Sequence, residues 1–150
     1  MIAYPDTSFL CALYGNQIHS PKAIDSFRRL GHPLSVTSLL LYEFRQSVRF
    51  QPWLFSNQRG KGYPQDIAHG ILAGLQADLA KGIYIVEPVD WPDVHAVAER
   101  LSAQYTFDEG HRAFDILHVA TALHLGAWEF LTFDEKQKTL AKAEGLKVRP

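Results

Sequence analysis

The sequence predicts an α/β fold, a three-layer α/β/α arrangement with a central parallel sheet. Three observations carry this expectation. Short apolar runs recur at 2–4, 34–36, 83–86 and 130–133, and such runs read as buried strands. Longer stretches between them place apolar residues at helical spacing. Those stretches open on Ser, Thr or Asp and most close on Gly, the residues that cap helices. With 150 residues, the chain is expected to form a single domain, 1–150, large enough to bury a full core.

Taken in order, residues 2–4 form the first strand. After Asp6-Thr7-Ser8 a helix fits Ser8–Tyr14, broken by Gly15-Asn16. Ser20 at the N-cap and Pro21 in the first turn start a second helix, with Ala23, Ile24, Phe27 and Leu30 on one stripe and Gly31 as its stop. Leu34-Ser35-Val36 is a short strand. Thr37 or Ser38 caps the next helix, on which Leu39, Leu40, Glu43, Ser47 and Phe50 mark a common side. Residues 51–66 hold two prolines and two glycines and read as a loop. Asp66 is expected to cap a helix of Ile67, Ile71, Leu75 and Leu79, ended by Gly82. Strand Ile83–Val86 follows, and Asp90 caps a helix of Val94, Val97, Ala98 and Leu101. A further helix spans about Arg112 to Leu125, then strand Phe130–Phe133. Asp134 caps a last helix that stops at Gly145, before an edge strand Leu146–Val148.

Charge and composition bound the function. Fifteen Lys and Arg against 16 Asp and Glu leave a formal charge of −1, which is not the basic footprint of most nucleic-acid binders. That count includes carboxylates whose charge a bound cation would offset, so nucleic acid is not excluded. The single cysteine, Cys11, rules out an internal disulfide and a Cys-rich zinc site. It sits in an apolar context and reads as a buried thiol. No apolar run approaches the ~20 residues of a membrane span, and no signal-peptide pattern opens the sequence. A cytoplasmic protein with no membrane partner is expected.

Four acidic residues stand out. Asp6 follows the first strand and Asp134 closes the fourth, so both belong at the C-terminal edge of the sheet, where α/β enzymes place their sites. Each also precedes a helix and has an ordinary reading as its cap. Glu43 interrupts Leu39-Leu40-Leu41-Tyr42-Glu43-Phe44, and Asp115 interrupts the apolar run Arg112–Ala122, in which His118 is the one other ionisable residue after Arg112. Ion pairs with Arg45, Arg49, Arg112 or His118 would satisfy these two without any catalysis. Carboxylates on packed elements are nonetheless costly unless something positive pairs with them, and a divalent cation would serve all four. Two such ions about 4 Å apart activate a water and stabilise the departing oxygen of a phosphodiester. Hard cations such as Mg²⁺ or Mn²⁺ take oxygen ligands. Asp6 and Asp115 are the expected primary ligands, with Glu43 and Asp134 completing the cluster. Thr7, Ser8, Thr132 and His118 are candidates for hydrogen bonds to those ligands. His118 also has the plainer reading of a satisfied core histidine.

Residues 49–63 interleave Arg49, Arg59 and Lys61 with Phe50, Trp53, Phe55 and Tyr63. Cations beside aromatics suit single-stranded RNA, and equally suit packing on the domain or on a partner. Arg112 either reaches the scissile phosphate or pairs with Asp115.

Tyr4-Pro5-Asp6-Thr7-Ser8, Ser38–Phe44, Arg112–Ala122 and Phe130–Asp134, trailed by Gly145-Leu146-Lys147-Val148, together resemble a PIN domain, most closely its VapC-type toxins. The resemblance spans nearly the whole chain. It implies a small α/β/α nuclease whose acidic positions, here Asp6, Glu43, Asp115 and Asp134, bind Mg²⁺ or Mn²⁺ and cut RNA. It also implies a homodimer silenced by a small VapB-like antitoxin. Pro5 departs from the family, which more often has an apolar strand residue there. A catalytically silent PIN module for RNA binding or complex assembly is the alternative. A phosphatase is disfavoured because Ser8 stands where its second Asp belongs, and a receiver domain because Asp134-Glu135-Lys136 matches its late signature poorly.

Overall fold

The computed structural model describes all 150 residues, Met1–Pro150. Strands of three residues alternate with helices in the order β1 (Ala3–Pro5), α1 (Thr7–Tyr14), α2 (Ser20–Leu30), β2 (Leu34–Val36), α3 (Ser38–Asn57), α4 (Gln65–Ala80), β3 (Tyr84–Val86), α5 (Trp91–Leu101), α6 (Phe107–Glu109), α7 (Ala113–His124), β4 (Glu129–Leu131), α8 (Glu135–Ala143) and β5 (Lys147–Arg149). Ser102–Thr106 form a π-helical turn between α5 and α6. No helix is long and apolar enough to cross a membrane.

All strand pairs are parallel, as the alternation predicts. β4 lies between β1 and β5, with Tyr4 opposite Phe130 and Phe130 opposite Val148. β2 pairs with β3, Ser35 opposite Ile85. β1 and β2 lie side by side without a hydrogen-bonded ladder, so the sheet is split along that seam. Pro5 supplies a reason. Asp6 N donates to Leu131 O on β4 at 2.9 Å, so the preceding nitrogen points to the β2 side. That nitrogen belongs to Pro5 and has no hydrogen to donate. The Pro5 departure therefore leaves β1 and Asp6 in place and weakens the opposite edge. The seam is bridged instead by side chains, Tyr4 Oη lying 3.3 Å from Thr37 Oγ1.

The core is one cluster of buried apolar side chains reaching from Tyr4 and Phe9 through Leu40 and Phe44 to Phe130 and Leu140. Helices pack as two groups, α1 against α2 and α3 with α4 beside α3, and α7 against α5 and α8. Most predicted elements appear within a residue or two of their expected bounds. The stretch read as a loop at 51–66 is the main difference. Residues 51–57 continue α3 through Pro52. An interior proline costs about 3 kcal/mol, and the packing of α3 along α4 offsets it. Two caps also differ. His19, not Ser20, is the N-cap of α2, while the Ser20 hydroxyl donates to Gly15 O at 3.0 Å. Pro64, not Asp66, precedes α4. The π-helical turn and α6 carried no sequence signal that separated them from a loop.

Gly62 closes the α3–α4 connection. Its φ is +70°, and a Cβ there would fall 2.1 Å from Gln51 O and 2.7 Å from Phe55 N. Gly62→Ala is expected to destabilise the protein by more than ~1 kcal/mol. Gly82→Ala, at φ +73° with open space around it, should cost less. Urea unfolding midpoints at unchanged m-value check both.

Candidate active site

Asp6 is fully buried at the C-terminal end of β1. It is the N-cap of α1, and its Oδ1 accepts Phe9 N at 2.9 Å and Ser8 Oγ at 2.7 Å. Oδ2 accepts Thr132 Oγ1 at 2.7 Å. Burial pushes this carboxyl above the usual range, against those three hydrogen bonds and the charge of His118. Thr132 Oγ1 also accepts Asp134 N at 2.9 Å, and Ser8 Oγ accepts Phe133 N at 2.9 Å. The loops after β1 and β4 are thus tied together around one carboxylate.

Asp134 caps α8, accepting Gln137 N on Oδ1 at 2.8 Å. Gln137 is buried and donates from Nε2 to Asp115 Oδ1 at 3.2 Å, so it links the two acids. Sequence reasoning did not single it out. The available signal was its place three residues after a capping Asp, where a capping box puts Glu or Gln. Here the side chain turns to α7 instead of back to the cap. Asp115 lies on the first turn of α7, and burial pushes its carboxyl upward, with the charge of Asp134 adding to the rise. Arg112 Nε stands 3.8 Å from Asp115 Oδ2 on a side chain 88% exposed. So loose a pair contributes little and leaves the guanidinium free to meet another anion.

Glu43 faces the same end from α3. Its Oε2 lies 2.5 Å from Nε2 of His118, which is buried on α7. His118 Nδ1 is 3.4 Å from Tyr4 Oη, so Glu43, His118, Tyr4 and Thr37 form a chain that ends on the β1–β2 seam. Burial would raise Glu43, but the hydrogen bond and charge of His118 outweigh it and hold the carboxyl below its usual range. Thr7 Oγ1 is buried nearby without a hydrogen-bond partner. His118, expected near Asp115, is spent on Glu43.

The four acids occupy one end of the sheet, but no three of the His, Cys, Asp and Glu side chains converge on a common point that could hold a metal ion. The carboxylate donors are all oxygens, and burial, with the charge of Asp134 adding to it, drives up Asp115. Arg49, Arg59 and Lys61 are exposed. Arg49 lies six residues beyond Glu43 on α3, about 9 Å along the axis; Arg59 lies past the far end of α3, and Lys61 precedes Gly62, which turns back onto the helix beside Gln51 and Phe55. Phe50 and Trp53, half exposed, stack on each other with ring centroids 5.4 Å apart.

The PIN-domain family profile matches residues 3–143. The chain belongs to the PIN-domain family. No curated protein matches it by sequence. Among solved structures it is similar to the sarcin–ricin-loop-cleaving toxin VapC20 of Mycobacterium tuberculosis, with 20% identity, 99% of each chain covered and a TM-score of 0.66. FitAcB of Neisseria gonorrhoeae aligns at 15% identity over 99% of this chain and 97% of its own, TM-score 0.67. VapBC2 of Rickettsia felis, solved on a DNA fragment from its promoter, aligns at 14% identity over 99% and 98%, TM-score 0.65. Identities this low speak for the PIN fold.

Because the folded-state pKa of Asp115 is raised, its protonated form is the one the fold favours. The stability it confers is present below the unfolded carboxylate pKa of about 3.9 and is lost as pH rises through the higher folded value. Asp115→Asn should therefore raise the melting temperature of the metal-free protein at neutral pH, with the gain fading in acid. Thermal melts across pH 3 to 7 check this.

Proposed function

We propose that this PIN protein is a metal-dependent endoribonuclease, the toxin of a toxin–antitoxin pair. The observation that carries the reading is the placement of Asp6, Glu43, Asp115 and Asp134 beyond the C-terminal ends of the strands, on a chain that belongs to this family. Mg²⁺ or Mn²⁺ would be the cation; Asp6 and Asp115 would hold it, with Glu43 and Asp134 completing the set. All-oxygen donors suit a hard ion, and a cation would offset both the burial cost of the Asp115 carboxylate and its repulsion from Asp134. When bound, the ion supplies charge for the phosphate and an activated water.

The chain's own residues do the rest. Ser8, Thr132 and the Phe9 amide hold Asp6 in one rotamer. Gln137 sets the distance between Asp115 and Asp134. His118 and Tyr4 orient Glu43, and burial keeps the Tyr4 phenol protonated, its pKa well above the usual. Arg112, almost fully exposed beside Asp115, meets the phosphate backbone, with Arg49 next along α3 and Arg59 and Lys61 contacting more distant nucleotides.

Residues 1–150 act as one nuclease domain in the cytoplasm, as a homodimer bound in the resting state by a VapB-like antitoxin. The stacked, half-exposed Phe50 and Trp53, with Phe55, support a partner surface on the α3–α4 hairpin. The likeness to VapBC2 and FitAcB supports the antitoxin.

Structured RNA should be cut by the purified protein with Mn²⁺ or Mg²⁺ and not with EDTA. Asp6→Asn and Asp115→Asn should each lose at least about 100-fold in rate, and Thr132→Ala about 10- to 100-fold through its hold on a ligand. Metal binding without cleavage by the antitoxin-free wild type would favour the silent PIN module.

A further inference from the structure

A cavity of about 200 Å³ opens beside the acidic end, between α1, α3 and the segment that leads into α4. Ser47 and Gln51, on its α3 wall, follow Glu43 by one and two turns of the same helix face, roughly 6 and 12 Å along the axis. Its α1 wall begins at Cys11, five residues after Asp6. Burial pushes the Cys11 thiol up, and the charges of Asp6 and Glu43 add to the rise, which places the cavity within electrostatic reach of the acids. Glu43, whose side chain is partly exposed, stands one turn of α3 before Ser47 on this wall.

The walls are of two kinds. Tyr14 and Tyr63 present rings over an apolar floor that includes Phe44 and Ile71, while Ser47, Gln51, Asn16 and Gln17 present hydroxyl and amide groups. Amides both donate and accept, and that is the complement of a base edge. The rings are held in place. Tyr14 Oη donates to Asp78 Oδ2 at 2.5 Å, and Gly62, pressed on the α3 backbone, fixes the position of Tyr63 beside it. The volume falls below the ~300–1,000 Å³ of pockets that take a whole small molecule, and suits a single planar ring. Neither the exposed Trp53 nor Phe55, the aromatics singled out by composition, lines it.

We propose that this cavity receives one unstacked nucleobase of the RNA strand and so sets the nucleotide preference beside the cut. The inference rests on the nuclease reading above and names the specificity element of that same site.

Nuclear magnetic resonance on the ¹⁵N-labelled, metal-free protein tests it, with AMP, CMP, GMP and UMP added in turn to millimolar concentration and inorganic phosphate as the control. One or two of the nucleotides, and not phosphate, should shift the amides of Ser47, Gln51 and Tyr63 in a saturable way. Gln51→Ala, a mild change on a helix, should weaken that binding about fivefold by loss of a hydrogen bond, and Ser47→Leu should abolish it by filling the cavity. Both variants should cut a randomised RNA pool with a flattened base preference at one position. Shifts equal to those of phosphate, shifts confined to the Phe50–Trp53 face, or an unaltered response in two folded variants would overturn the proposal. Failure of the two readings is separable. Base binding in the cavity without cleavage under any divalent ion removes the nuclease and keeps the base site. Cleavage with wild-type preference in both variants removes the base site alone.

Discussion

The hydrogen bond from Thr132 Oγ1 to Asp6 Oδ2, 2.7 Å long, joins residues 126 apart in the chain. Much of the structure exists to make it possible. A buried carboxylate is costly unless its oxygens are satisfied, and Asp6 obtains its donors from two loops that meet only because β1 and β4 are hydrogen-bonded neighbours with Pro5 opposite Leu131. Breaking that register would strand a charge in the core. The parallel pairing, the two helix N-termini that follow the strands and the placement of Asp134 are consequences of one packing solution around one side chain.

The other half of the acidic end is built differently. Glu43 and Asp115 reach it from α3 and α7, and neither is anchored by backbone pairing. Glu43 is positioned through His118 and Tyr4 to Thr37, a chain of polar side chains that runs to the seam where Pro5 removes a ladder donor. Polar networks in a low-dielectric interior strengthen when every member is satisfied. Side-chain bonds thus hold together, at the seam, what backbone bonds hold together between β1 and β4. The nearby Thr7 hydroxyl, buried and unpartnered, is the loose end of this arrangement.

Much of this was legible in the residues and some of it was not, for identifiable reasons. Asp6 and Asp134 had two readings, cap and functional acid; the cap is seen in both, Asp6 accepting Phe9 N and Asp134 accepting Gln137 N. The half-buried acids on α3 and α7 announced themselves by interrupting apolar runs. Gln137 did not, because glutamine on a capped, amphipathic helix is ordinary until the helix is seen packed against α7. The helix beyond Pro52 was misread because proline is a local breaker, whereas its tolerance is decided by packing on α4.

By itself, the sequence determined the alternation of strands and helices, the parallel sheet and which carboxylates follow strands or interrupt apolar runs, since periodicity, caps and isolated charges are local properties of the chain. Tertiary structure alone decided which donors satisfy each acid, that His118 serves Glu43, that the sheet splits between β1 and β2, and that the chain after α3 turns back at Gly62 onto Gln51. Those outcomes depend on distances between residues remote in sequence, which no local pattern encodes.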